Sequence, residues 1–324
     1  MRRWTLVTGG AGYVGSLLVP MLLSQGRNVR VLDSLQHGNG SSLLGVWSDD
    51  RFEFVHGDVD DETTLVEASR DVSEIVHLAA IVGDPACSRE PDEARRVNVD
   101  ATRRLLDRAQ ELGVDRFLFS STCSNYGKME AGDALATEEW ELRPVSLYAE
   151  TKVEAELETL ARANPDFTTA CLRLATVYGV SPRMRFDLTV NEFVRDVAVQ
   201  GSLVVYGEQF WRPYVHVRDA ARAFVAALDA PQETLNGEVF NVGSTSENYR
   251  KLDLVELLRE RVPSADVQFV HRDEDPRDYR VSFEKIGTVL GYGTTRSVPD
   301  GIDEVLRLLE SSAIEDPYAV AYRA

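Results

Sequence analysis

Lysine is scarce in this chain: Lys128, Lys152, Lys251 and Lys285 are the four among 35 basic side chains. Acidic side chains number 53, which leaves a formal net charge of −18 at pH 7. A nucleic-acid backbone is held by clustered positive charge, so no nucleic-acid partner is expected. Cysteine is rarer still. Cys87, Cys123 and Cys171 make neither a metal knuckle nor a disulfide framework, so no metal is expected, and a reducing cytoplasm fits best. No uncharged apolar run approaches the ~18 residues of a membrane span. Met1-Arg2-Arg3 leads straight into the strand-like Trp4-Thr5-Leu6-Val7, which leaves no room for a secretory leader.

What is present is an ordinary globular composition, 324 residues with 44% apolar and 27% charged. That length suits one large or two coupled domains. The first half alternates short apolar runs with helical periodicity. Strands are expected at Trp4–Thr8, Val29–Leu32, Phe52–Val55, Ile75–Ala80, Arg116–Ser120 and Thr168–Leu174. Between them lie helical patterns over Tyr13–Ser24, Asp61–Arg70, Asp92–Leu112 and Ser146–Ala163. Such alternation implies an α/β fold, a doubly wound parallel sheet with helices on both faces. After about Gly179 the pattern loosens into what reads as a smaller mixed α/β substrate lobe. We therefore divide the chain into 1–180 and 181–324, with 214–242 returning to the first sheet.

Strand one ends in Thr8-Gly9-Gly10-Ala11-Gly12-Tyr13-Val14-Gly15. Gly9, Gly12 and Gly15 stand between a strand and a helix, where a tight turn brings backbone close to a pyrophosphate. The helix start offers free N–H groups to that anion. Asp33 ends strand two, placed to accept both ribose hydroxyls and to repel a 2′-phosphate, which favours NAD over NADP. Asp58 ends strand three and can accept from an adenine amino group.

Tyr148 and Lys152 are four apart on one expected helix and project from one face. A free tyrosine titrates near pH ~10, and lowering that by about three units takes about 4 kcal/mol of differential stabilisation. A nearby ammonium and a cationic nicotinamide would supply it, giving a base for a hydroxyl proton. Strand five runs into Ser120-Ser121-Thr122-Cys123-Ser124-Asn125-Tyr126-Gly127, at the strand end where ligands bind in such sheets. There the Thr122 hydroxyl can hold a substrate oxygen against Tyr148.

With these motifs the chain resembles the extended short-chain dehydrogenase/reductase family, the NAD-dependent epimerases and dehydratases of nucleotide sugars, UDP-glucose/galactose 4-epimerases among them. The resemblance spans nearly the whole length. It is carried further by Asp58-Val59, His77-Leu78-Ala79-Ala80, Asn98, Leu172-Arg173, Val177-Tyr178-Gly179 and Tyr214-Val215-His216-Val217. It implies a Rossmann-type sheet binding NAD. The cofactor residues it implies are Gly9, Gly12, Tyr13, Val14, Gly15, Asp33, Asp58, Val59, Leu78, Ala79, Ala80, Asn98, Ser120, Tyr148 and Lys152. Asn98 supports the active-site lysine, and Thr122, Tyr148 and Lys152 are catalytic. The second half resembles a sugar-nucleotide lobe, with Tyr206 along the base and Arg212 and Arg277, the latter in Asp275-Pro276-Arg277-Asp278-Tyr279, clamping the diphosphate. Asn191 is expected to reach that diphosphate too. Thr122 also touches substrate, and a homodimer through the 92–112 and 146–163 helices is implied.

Departures from the family narrow the reaction. The 4,6-dehydratases carry Asp-Glu directly after the catalytic threonine, where this chain has Cys123 and Ser124. The 3,5-epimerases place a cysteine base two residues after the hydroxyl residue, and that place is Ser124. The glutamate that UDP-glucuronate decarboxylases use is absent. Cys87 is expected as a small residue lining the sugar pocket. The reading is an NAD-dependent nucleotide-sugar 4-epimerase working through a transient 4-keto intermediate. Its rivals are an NAD(P)H-dependent nucleotide-4-keto-sugar reductase and a non-catalytic NAD-sensing relative that acts by partner binding.

Overall fold

A computed structural model describes residues 3–129, 134–272 and 277–323; Met1, Arg2, Asp275 and Pro276 lie outside them. The chain opens with β1 (Trp4–Thr8), α1 (Gly15–Ser24), β2 (Asn28–Asp33), β3 (Phe52–His56), α2 (Glu62–Ala68) and β4 (Val72–His77). It continues through α3 (Asp84–Arg89), α4 (Pro91–Arg95), α5 (Ala101–Glu111), β5 (Arg116–Thr122), α6 (Leu147–Ala161), β6 (Thr168–Leu174) and β7 (Thr176–Tyr178). Next come α7 (Thr189–Gln200), β8 (Ser202–Tyr206), β9 (Trp211–His216), α8 (Val217–Asp229), α9 (Gln232–Leu235) and β10 (Glu238–Val242). The last elements are β11 (Asn248–Arg250), α10 (Lys251–Arg261), β12 (Asp266–Val270), α11 (Glu284–Leu290) and α12 (Val298–Glu310).

Seven strands form one sheet in the order β10-β6-β5-β4-β1-β2-β3. Every neighbouring pair in it is parallel. Parallel sheets are covered on both faces, so their strands read as continuous apolar runs. Successive residues serve opposite cores. In β5, Leu118 packs with Val7, Leu18, Leu22 and Phe224 on the α1 and α8 side. Its neighbours Phe117 and Phe119 pack with Leu6, Ile75, Leu105 and Ala155 on the other. The strand order reverses between β1 and β4, and ligands bind at such a switch point. A third core, including Phe186, Val194, Val205, Leu254 and Val305, sits among the elements after β6. Two small sheets, β11-β9-β7 and β12-β8, complete the fold.

The structure departs from the sequence reading in three places. The expected strand Ile75–Ala80 begins earlier and ends at His77. Leu78 N donates to Thr8 O (3.1 Å) and Ala79 N to Thr8 Oγ1 (3.3 Å), and there the chain leaves the sheet. The expected helix over Asp92–Leu112 is two helices joined by a π-helical turn, Arg96–Asp100, which carries Asn98 into the interior. A π turn widens the helix by one residue and marks sites where a side chain must be placed off the α-helical register. Of the stretch 214–242, β10 joins the large sheet beside β6, whereas β9 belongs to a small one.

His77 joins three segments at the end of β4. Its Nδ1 lies 2.7 Å from Thr8 Oγ1, and its Nε2 lies 2.9 Å from Thr102 Oγ1. Burial holds its pKa down at about 3, and the Lys152 charge adds to the effect. The unfolded imidazole takes a proton below pH ~6.5 and the folded one does not, so this residue costs stability as pH falls from there toward 3. About 2 kcal/mol is lost by pH 5 on its account. Urea unfolding across pH 4–7 should show that slope, and the His77→Gln variant should lack it.

Candidate active site

At the switch point the chain leaves β1 beneath the end of β4 and must turn at once into α1. Gly9 has φ +71°, and a Cβ there would lie 2.8 Å from Ala79 N. A Cβ on Gly15 would lie 2.5 Å from the Gly9 carbonyl oxygen. Backbone meets backbone at both, so only glycine fits. Gly12 is different, since its Cβ would meet Gly9 O alone, at 3.1 Å, and the residue faces a cleft. Two of the three glycines thus serve the protein's own packing, and Gly12 keeps the turn low beneath a ligand. Tyr13, Val14 and Gly15 line the same wall at the start of α1, whose second amide, Ser16 N, donates back to Gly12 O (2.9 Å).

Asp33 stands on the next wall. Its Oδ2 accepts from Ala11 N (2.9 Å) and its Oδ1 from Leu35 N (2.8 Å), which orients the carboxylate and leaves acceptor sites for a ribose. Asp58, held by Asp60 N (2.9 Å), and Val59 also line the cleft, as do Leu78, Ala79, Ala80 and Ser120. The cleft has a volume of about 930 Å³. A low glycine turn, a helix start and an oriented carboxylate fit a dinucleotide, with donors for its phosphates and an acceptor for its ribose.

The catalytic candidates meet at the end of β5. Ser146 caps α6, its Oγ accepting from Ala149 N (3.3 Å). Tyr148, Lys152 and Glu156 then fall four apart on one stripe of that helix. Lys152 is 3% exposed. Its Nζ donates to Ser120 O (2.9 Å) and lies 4.7 Å from the Phe119 ring centroid. Burial lowers its pKa to about 8, against the pull of Cys87 and Cys171. Tyr148 is hydrogen-bonded to Thr122. Burial raises its phenol well above the ordinary value, Cys87 and Asp84 add to this, and Arg185 and Thr122 oppose it. Protein groups alone therefore keep this tyrosine protonated near neutrality.

Thr122 ends β5. Its Oγ1 accepts from Ser124 N (3.1 Å) and so caps the 3₁₀ turn Cys123–Tyr126. Beneath the turn lies a closed polar network. Glu156 accepts from Ser121 Oγ (2.6 Å) and from Arg173 Nε (3.1 Å). Arg173 Nη1 donates to Tyr126 OH (2.9 Å), which donates to Asn241 Oδ1 (2.7 Å).

Of the expected substrate residues, Tyr206, Arg212 and Arg277 line the cleft, with Thr122. Arg277 pairs with Asp84 (2.8 Å). Three expectations are corrected. Asn191 is fully buried: it accepts from Gly179 N (2.9 Å) and donates to Arg185 O (2.8 Å) and Tyr13 OH (3.1 Å). Both its amide hydrogens are used inside the protein, so it does not reach a diphosphate. Asn98 makes no direct hydrogen bond to Lys152; it clasps Ile81 through both backbone groups (2.8 and 3.0 Å) and donates to Thr151 Oγ1 (3.1 Å). Cys87 lies behind the cleft wall with no exposed surface, its Sγ donating to Ile81 O (3.4 Å). Cys123 also faces inward, toward Arg173 O (3.2 Å), and burial raises its thiol far above the ordinary value. Ser124 is the residue of that pair in the cleft. The sequence reading missed Asp84, Arg183, Arg185 and Tyr279, all of which line it. Asp84 follows the end of β4 and the two arginines follow β7, and position after a strand end was the available signal.

Residues 5–243 match the model of the NAD dependent epimerase/dehydratase family. The chain is 29% identical over 309 residues to a UDP-glucose 4-epimerase of Halalkalibacterium halodurans, covering 89% of each chain. It is 32% identical over 316 residues to a dTDP-glucose 4,6-dehydratase of Actinoplanes sp., covering 93% of this chain and 96% of that one. Its fold is similar to the crystal structure of the Bacillus cereus UDP-glucuronic acid 4-epimerase in complex with UDP-glucuronic acid and NAD. That likeness has a TM-score of 0.85 at 26% identity, over 95% of this chain and 99% of that one.

Glu156 is fully buried and Arg173 is 4% exposed. Glu156→Gln leaves the guanidinium without its counter-charge and should cost about 3–5 kcal/mol in urea unfolding. Adding Arg173→Met should recover part of that loss, because no unpaired charge then remains buried.

Proposed function

The chain belongs to the NAD-dependent epimerase/dehydratase family, and we propose that within it this protein is a nucleotide-sugar 4-epimerase. The observation that carries the reading is the turn after Thr122. Cys123 is turned into the core and Ser124 faces the cleft. Neither supplies the carboxylic acid and carboxylate base that eliminate water in the 4,6-dehydratases, while Thr122, Tyr148 and Lys152, which carry the hydroxyl, phenol and ammonium that reversible oxidation at C4 would use, line the same cleft.

The residues that would hold NAD are Gly12–Gly15 for its phosphates and Asp33 for its adenosine ribose. When bound, NAD supplies a hydride acceptor for the sugar C4 and a positive charge that favours the Tyr148 phenolate. Tyr148 takes the proton of the C4 hydroxyl and later returns it. Thr122, bonded to the phenol, holds the same sugar oxygen. Lys152, tethered to the Ser120 carbonyl, keeps an ammonium beside the phenolate. Arg212 and Arg277 hold the diphosphate, since guanidinium pairs with phosphate oxygens at two points.

Purified protein without added cofactor, incubated with UDP-glucose, UDP-galactose and their glucuronate and N-acetyl relatives, should interconvert a C4 pair by proton NMR. A 4-keto-6-deoxy product would overturn the reading in favour of a dehydratase. Stoichiometric consumption of NADH or NADPH on a 4-keto sugar, without interconversion, would overturn it in favour of a reductase. Tyr148→Phe should lower kcat by about 10²–10⁴ and leave NAD and nucleotide binding intact.

A further inference from the structure

Asp84 opens α3, directly after Gly83 at φ +89°. Its carboxylate has two partners from distant parts of the chain. Oδ1 accepts from Ser146 Oγ at 2.6 Å. Oδ2 lies 2.8 Å from Arg277 Nη1. Ser146 is the N-cap of α6, two residues before Tyr148. Arg277 belongs to a segment anchored elsewhere. There Asp278 Oδ1 accepts from Trp211 N (2.9 Å) and Asp278 O from Met129 N (2.9 Å). Asp84 and Arg277 both line the cleft. One carboxylate thus connects the start of the catalytic helix to an arginine that comes from far along the chain.

We propose that Asp84 is a positioning residue that orients Arg277 toward the anionic end of the substrate and, through Ser146, sets the start of the Tyr148 helix relative to that anion. The proposal rests on the nucleotide-sugar reading above. A guanidinium carries five N–H donors in a fixed fork, so a carboxylate at Nη1 sets the plane in which the others lie. A side chain ordered before binding loses less rotamer freedom on binding. The hydroxyl contact on the other oxygen matters for geometry, since a proton transfer at Tyr148 tolerates little displacement relative to a sugar held by its diphosphate.

The two contacts separate experimentally. Asp84→Asn keeps an acceptor for Ser146 and removes the charge opposite Arg277. Ser146→Ala removes the cap contact and leaves the ion pair, and Ser146→Thr restores a hydroxyl. UDP, dTDP, GDP and CDP would be titrated calorimetrically into the NAD-loaded protein, and epimerase kinetics measured on the matching sugar nucleotide. Asp84→Asn should weaken the bound diphosphate about fivefold and raise KM alike, with kcat within about twofold. Ser146→Ala should lower kcat about tenfold at unchanged affinity, and Ser146→Thr should recover it. In an Arg277→Gln background, Asp84→Asn should add less than about twofold.

Binding by Asp84→Asn as tight as wild type or tighter would overturn the proposal, since the carboxylate would then be a bystander or a competitor of the diphosphate. An equal loss with Arg277 already removed would overturn it too, as would an unchanged kcat in Ser146→Ala. If the wild-type protein binds none of the four diphosphates, the nucleotide-sugar reading itself falls; if it binds one and the variants behave otherwise, only the role of Asp84 does.

Discussion

The buried ion pair between Glu156 on α6 and Arg173 on β6 is the contact on which the site depends. A carboxylate with no exposed surface is tolerable only if every oxygen is used, and here Ser121, Asn125 and Arg173 use them. Those partners are what the site requires. Ser121 precedes Thr122 on β5, and Asn125 lies on the turn that Thr122 caps. Glu156 is one helical turn beyond Lys152 and two beyond Tyr148. Through Ser121, Glu156 therefore ties the helix that carries the phenol and ammonium to the strand that carries the hydroxyl, and through Arg173 it ties that helix to β6. A looser coupling would leave the three groups present but out of register.

A second set of contacts joins the glycine turn to the later part of the chain. Tyr13, in the cofactor turn, donates to Gly179 O at 2.6 Å. Ser16 Oγ and Ser181 Oγ lie 2.9 Å apart. Gly179 packs so closely on His216 that a Cβ would lie 2.2 Å from its Nε2. That nitrogen meets Glu304 of α12 at 2.7 Å. The glycine-turn wall of the cleft is thus continuous, through buried polar contacts, with elements of the third core. Asn191 belongs to this chain of contacts, which is why its amide is consumed inside the protein.

The electrostatics of the cleft follow from burial. The same dry surroundings lower Lys152 and raise Tyr148, so each works against its own ionised form. Further positive charge in the cleft would favour the phenolate.

Much of this was legible in the sequence. A parallel sheet covered on both faces demands apolar runs separated by amphipathic helices, and that pattern survives in a string of letters. The glycine turn, Asp33 and the Tyr148–Lys152 spacing were legible for the same reason, because each is local, set by a backbone requirement or by helical periodicity. The misreadings were of another kind. Asn98 and Asn191 are polar residues near motif segments, and only the folded chain shows that their amides are spent on Ile81, Thr151, Gly179 and Arg185. The π turn that carries Asn98 has no periodicity of its own. Cys87 faces away from the cleft, its thiol spent on the Ile81 carbonyl. The sequence by itself determined which local units form and which residue types reach the strand ends; the tertiary structure decided which side chains face the cleft, because that depends on partners distant in the chain.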